Sequence, residues 1–184
     1  PYSALLCLMV SGLLDAFDGR IARTKKNRTE QEKRFGIQID SLNDVVCFGV
    51  LPGVIGASLG GGEWWLRASV LFYILAALIR LAYFNVTEEE RQKNTDERRT
   101  SYIGLPVTSA SLIFPLVYAL TYTLARVLPD HVILYFYALV MLVVAVCFVA
   151  PFSVRKPHGK ALIFLSFVGV AEIAYLICVI RFLR

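Results

Sequence analysis

Cysteine is scarce in this chain and nowhere arranged for chemistry. Cys7, Cys47, Cys147 and Cys178 stand singly within apolar segments and form no CxxC pair, which argues against a thiolate metal site or a disulfide framework and predicts buried free thiols. Charge is scarce too. Acidic and basic residues make up 18% of the 184 positions against 57% hydrophobic, and the mean hydropathy is +0.62. One soluble core of this length cannot bury so much apolar surface. No internal repeat is present. Nor is there a stacking platform or recognition motif for nucleic acid, so the net charge of +5 points to membrane topology and anionic lipids. The chain also lacks an initiator Met and opens at Pro1, already at the start of an apolar segment, as a trimmed sequence would.

What is present is a series of apolar runs: Tyr2 to Ile21, Ile37 to Leu59, Trp64 to Val86, Gly104 to Ala125, Val132 to Pro151 and Ala161 to Ile180. Each is close to the roughly 20 residues that a helix needs to cross the hydrocarbon layer. Backbone in lipid must satisfy its own hydrogen bonds, so the expectation is all-α: a polytopic bundle of about six membrane-spanning helices in a single domain, residues 1–184. Pro106 and Pro115 fall in the fourth run and predict a kinked or loosened helix there. The mixed-charge run from Thr87 to Ser101 predicts a solvated helix extension. Arg20 to Arg34 hold seven Lys or Arg, Arg91 to Arg99 four and Arg155 to Lys160 three, fourteen in all. Only Arg67, Arg126, Arg181 and Arg184 fall on the other side. That imbalance places the fourteen-residue face in the cytosol of a plasma-membrane protein, with Trp64, Trp65 and Tyr122 near the opposite ends.

The chemistry is carried by acids on that face. Asp15 and Asp18 are spaced i,i+3, and Asp40 and Asp44 i,i+4, so on helices each pair projects from one side, one turn apart. Four carboxylates so close need compensating cations, and oxygen-only ligands suit Mg²⁺ or Mn²⁺, two ions being expected, rather than zinc. For any one aspartate alone, solvation or a salt bridge accounts for it as well; it does not account for the glycines and Arg23 at these spacings.

The whole pattern, Asp15-x-x-Asp18-Gly19-x-x-Ala22-Arg23 and then Gly36-x-x-x-Asp40-x-x-x-Asp44, resembles the signature of the CDP-alcohol phosphatidyltransferases at all eight of its positions. It departs in its spacer, Thr24 to Phe35, which is twelve residues where the family usually has eight; a polar loop absorbs the difference at small entropic cost. The resemblance implies a further helix upstream that walls the site, and Asp15, Asp18, Gly19, Ala22, Arg23, Gly36 and Asp40 around the CDP moiety. The metal ligands are then Asp15, Asp18, Asp40 and Asp44, and Asp44 beside the cations suits the general base that takes the acceptor's proton. Gly19 and Gly36 let a nucleotide approach the backbone. Arg23 suits a phosphate by geometry, with topological anchoring as its plain alternative.

The stretches Arg80-Leu81-Ala82-Tyr83-Phe84-Asn85, Gly104-Leu105-Pro106 and Asp40 to Gly49 are similar to those of the phosphatidylserine synthase branch. The resemblance implies transfer of phosphatidyl from CDP-diacylglycerol to L-serine, with release of CMP. Arg80, about four residues inside its segment, suits the serine carboxylate, with snorkelling to the interface equally open; Asn85 adds an amide. Glu172, near the middle of the last run, is expected to be a helix-packing residue. The expected partners are CDP-diacylglycerol, L-serine, anionic lipids and a second copy in a homodimer. Two other readings stand beside this one. The first is the same family with glycerol phosphate, inositol phosphate or phosphatidylglycerol as acceptor. The second is a divalent-cation transporter, against which the aspartates cluster at one edge rather than at mid-membrane between inverted repeats.

Overall fold

The computed structural model describes residues 2–22, 24–25, 27–59, 62–94, 101–124, 128–155 and 160–182. Every expected apolar run forms a helix. The first is α1 (Tyr2–Ala22). The second is one continuous rod from Glu30 to Leu59, built of α2 (Glu30–Asp44), a π-helical stretch (Val45–Val50) and α3 (Leu51–Leu59). There follow α4 (Trp64–Asn94), α5 (Ala110–Leu124), α6 (Asp130–Val149) and α7 (Lys160–Phe182). The protein is an all-α membrane helix bundle. Among the described residues, three helices are long and apolar enough to cross a membrane, within Glu30–Leu59, Trp64–Arg91 and His131–Val149, with shorter apolar helices at Val107–Thr121 and Phe167–Cys178. Their outer faces are apolar. Leu71, Leu75 and Leu78 on α4 and Leu139, Val143 and Val146 on α6 are all exposed, stripes at helical spacing that only lipid makes tolerable.

α4 runs through the middle of the packing, against α6 on one side and the π stretch and α3 on another. Tyr73, wholly buried, meets Phe114 edge-on with centroids 5.2 Å apart and Phe148 at 5.5 Å. Small residues let the backbones close in, as membrane helices require in place of a hydrophobic drive. A Cβ on Gly56 would stand 2.9 Å from Tyr137, and a Cβ on Gly12 of α1 would collide with Ser111 of α5. Trp65 stacks on Tyr135 with centroids 4.5 Å apart, which ties the start of α4 to α6.

Four expectations are corrected. The fourth run is helical only from a 3₁₀ turn at Val107–Ser109 onward. Pro106 lies before the helix, in extended backbone, because Gly104 turns left-handed at φ 74° while its N–H and that of Leu105 bond to Phe152 O (2.7 Å) and Cys147 O (2.9 Å). Pro115 alone stands inside α5. Second, Ser101 belongs to no helix extension: α4 continues to Asn94, with Arg91–Glu88 and Lys93–Glu89 ion pairs along it, and residues 95–100 lie outside the described ones. Ser101–Ile103 (β1) pairs antiparallel with Ser153–Arg155 (β2), a three-residue ladder too short to show in a sequence pattern. Third, the spacer is not all loop. Thr29 accepts from the Glu32 N–H, and Glu32 accepts from the Thr29 N–H at 3.0 Å. This capping box starts α2 at Glu30, so six spacer residues are already helical. Fourth, Cys7 and Cys178 are exposed rather than buried.

Candidate metal and nucleotide site

Three of the four signature aspartates converge. One carboxylate oxygen from each of Asp15, Asp18 and Asp40 lies within 4.8 Å of the others, with Asp15 half-buried and Asp18 and Asp40 exposed. α1 carries the first two on one face, and its approach to α5 at Gly12 sets their height. α2 carries Asp40, and its start is anchored by the capping box and by the Lys25–Glu32 ion pair at 2.6 Å. The donor set fits a hard divalent cation: three carboxylate oxygens drawn from two helices, at a separation that one ion or a pair of ions can bridge.

Asp44 stands one turn further along α2 and is different in kind. It is buried, and its Oδ1 has no hydrogen-bond partner among the described residues. A buried carboxylate oxygen without a donor is costly unless something else satisfies it. It stays within electrostatic reach of Asp15, Asp40 and Asp18. The remaining signature positions are less completely described. Gly19 and Ala22 lie in the helical backbone of α1, and Arg23 lies outside the described residues. Gly36 is half-buried, and a Cβ there would stand 3.1 Å from Arg28 Nη2, so the glycine admits a guanidinium beside the first turns of α2.

The stretches assigned to the acceptor also come together with the cluster's own helix. Arg80 is turned into the protein rather than out to the interface: it is 6% exposed, Nε donates to Leu105 O at 3.3 Å and Cζ lies 5.4 Å from the Phe84 ring centroid. That bond joins the Arg80–Asn85 stretch to Gly104–Pro106. Asn85 Nδ2 donates to Ser41 Oγ at 2.7 Å, which joins the same stretch to the residue after Asp40. Glu172 is not among the converging acids. It is buried on α7, beside an apolar groove shared with α5, and neither carboxyl oxygen has a partner among the described residues.

The sequence model of the CDP-alcohol phosphatidyltransferase family matches residues 1–183. The chain belongs to that family. Curated relatives are the CDP-diacylglycerol--serine O-phosphatidyltransferases of Helicobacter pylori (strain ATCC 700392 / 26695), 38% identical over 109 residues, 58% of this chain and 41% of the relative; of Saccharomyces cerevisiae, 34% over 113 residues, 60% and 40%; and of Methanocaldococcus jannaschii, 29% over 106 residues, 58% and 45%. The matched region thus spans about two-fifths of the first of these relatives' length. No solved structure matches.

Family membership gives the aspartate cluster its context, and the structure adds residues that spacing did not reveal. Arg28 beside Gly36 was visible only as one of five spacer cations. Ser41 is an ordinary helix position until Asn85 is folded against it. The Thr29-x-x-Glu32 capping pattern was the one available signal that α2 begins early enough to hold Arg28 and Gly36 together.

Proposed function

We propose that this protein is a phosphatidylserine synthase, transferring the phosphatidyl group of CDP-diacylglycerol to L-serine with release of CMP. The convergence of Asp15, Asp18 and Asp40 within 4.8 Å, in a chain whose curated relatives carry that activity in their names, is the observation that carries the reading. Asp15, Asp18 and Asp40, with Asp44, would hold Mg²⁺ or Mn²⁺, which when bound neutralises charge on the diphosphate and on the departing CMP.

The residues divide the work by environment. Asp44, buried and short of a donor on Oδ1, accepts the serine hydroxyl proton as the oxygen bonds to the phosphatidyl phosphorus and the bond from that phosphorus to CMP breaks. Gly19, Ala22, Arg23 and Gly36 line the CMP moiety. Arg80, inside the bundle, receives the serine carboxylate, and Asn85 orders the approach from α4. The basic loops set the site at the cytosolic face of the plasma membrane among anionic lipids, in a homodimeric enzyme.

The test is an acceptor screen on purified protein with CDP-diacylglycerol, offering L-serine, glycerol 3-phosphate, inositol phosphate and phosphatidylglycerol in parallel. Serine-dependent CMP release is expected. Release with another acceptor alone would replace serine in the reading, and failure to release CMP with any of the four acceptors would remove the transferase altogether.

A further inference from the structure

The rod from Glu30 to Leu59 must serve two faces. Its first half turns Asp40 toward Asp15 and Asp18. Its second half is committed to α4: a Cβ on Gly49 would stand 3.3 Å from the Ala77 side chain, and one on Gly53 would stand 3.0 Å from Ile74 and 3.1 Å from Val70. In an uninterrupted α-helix, at about 100° per residue, Asp44 and Gly49 would point about 140° apart. Both are buried, Gly49 against Ala77 of α4.

The π stretch lies between them and resets that angle. Leu51 N–H reaches back five residues to Val46 O, and a wide turn that takes up one additional residue removes about 100° of that rotation. Two residues keep the turn wide. Pro52 has no N–H to return to the preceding turn, and the Phe48 carbonyl accepts instead from the Tyr73 hydroxyl at 2.6 Å. Tyr73 is 0% exposed and clamped between Phe114 and Phe148, so packing aims that hydroxyl.

We infer that Tyr73 is a positioning residue for the aspartate cluster: by bonding the Phe48 carbonyl, four residues before Pro52, it holds the π turn that sets the facing of Asp40 and Asp44 toward α1. The inference rests on the reading of these aspartates as a divalent-cation site. It places a site determinant on α4, outside the signature.

The experiment compares the full natural protein with Tyr73→Phe, Pro52→Ala and the double variant. Mn²⁺ binding is measured by electron paramagnetic resonance titration of free ion, thermal unfolding in detergent, and CMP release from CDP-diacylglycerol and serine. Tyr73→Phe is expected to weaken Mn²⁺ binding about 10-fold or more, the usual scale for a residue that orients metal ligands, and to lower the unfolding temperature. The double variant carries the decision, since Pro52→Ala supplies an N–H four residues on from the Phe48 carbonyl and lets the segment close into an α-turn. Recovered unfolding temperature with Mn²⁺ binding still weak supports positioning through the π turn. Recovery of both together would overturn it, as would wild-type Mn²⁺ binding in Tyr73→Phe, because the hydroxyl would then do no more than satisfy one carbonyl. Natural protein that binds Mn²⁺ yet forms no CMP would end the synthase reading while the binding comparison still decides this one; natural protein that binds no Mn²⁺ would overturn both.

Discussion

The side-chain amide of Asn85 donates to the hydroxyl of Ser41 over 2.7 Å, tying α4 to the residue that follows Asp40. The bond crosses 44 positions of sequence and couples the Arg80–Asn85 stretch to the turn of α2 that carries Asp40. Asn85→Ala and Ser41→Ala are each expected to lower CMP release about 10-fold, the scale of losses from residues that orient ligands. The double variant should lose little more than either single one, since both remove the same interaction. A double-mutant cycle on initial rates checks this; losses that multiply would show that the two residues act separately.

If the converging carboxylates hold a divalent cation as proposed, activity should depend on it. Asp15→Asn, Asp18→Asn and Asp40→Asn should each abolish transfer, because a neutral amide gives up the charge that holds a hard ion. Excess EDTA should do the same to the natural protein, and Mg²⁺ or Mn²⁺ should restore it. Full turnover in EDTA would refute the metal assignment.

Asp44 separates from the other three by its burial, and its substitution should separate binding from chemistry. Asp44→Asn is expected to keep most CDP-diacylglycerol binding while transfer falls by about 10²–10⁴, the range of a general base. Equilibrium binding of the lipid nucleotide set beside single-turnover rates distinguishes the cases. Parallel loss of both would make Asp44 chiefly a metal ligand.

Arg80 offers a test of acceptor identity, since it points inward and already bonds Leu105 O. Arg80→Lys keeps the charge and loses the planar fork, so the KM for serine should rise with that for CDP-diacylglycerol nearly unchanged. Serinol, which lacks the carboxylate, should be a poor substrate of the natural protein and lose little further in the variant. Unaltered serine kinetics would reduce Arg80 to a structural tie between α4 and the segment before α5.

Gly104 holds that segment in place. Its φ of 74° suits glycine, and a Cβ there would stand 2.8 Å from Phe148 O. Gly104→Ala should destabilise the protein by about 1–3 kcal/mol, seen as a lower thermal midpoint in detergent. An unchanged midpoint would mean that the turn relaxes at no cost.

Spacing along one helix sufficed for part of this protein. The i,i+3 and i,i+4 aspartates share a helix face wherever that helix lies, and six apolar runs of membrane length become helices because lipid leaves backbone no other partner. The expectation that these acids gather was therefore legible in their spacing, and Asp15, Asp18 and Asp40 do converge. The capping box at Thr29 and Glu32 was equally local, and it puts the start of α2 within the spacer. What local pattern could not decide is rotation about a helix axis. Whether Asp40 meets Asp15 and Asp18 depends on the width of the turn at Val45–Val50, which rests on a hydroxyl from Tyr73, 25 residues away, and on how closely Gly49 and Gly53 approach α4. Arg80 turns inward, and Pro106 stays out of α5, because the Gly104 to Leu105 backbone bonds to the end of α6 and to the residue before β2, more than forty residues on. Helical propensity is a property of neighbours in sequence, whereas the facing of each helix is set by hydrogen bonds and close packing between segments that only the folded bundle brings together.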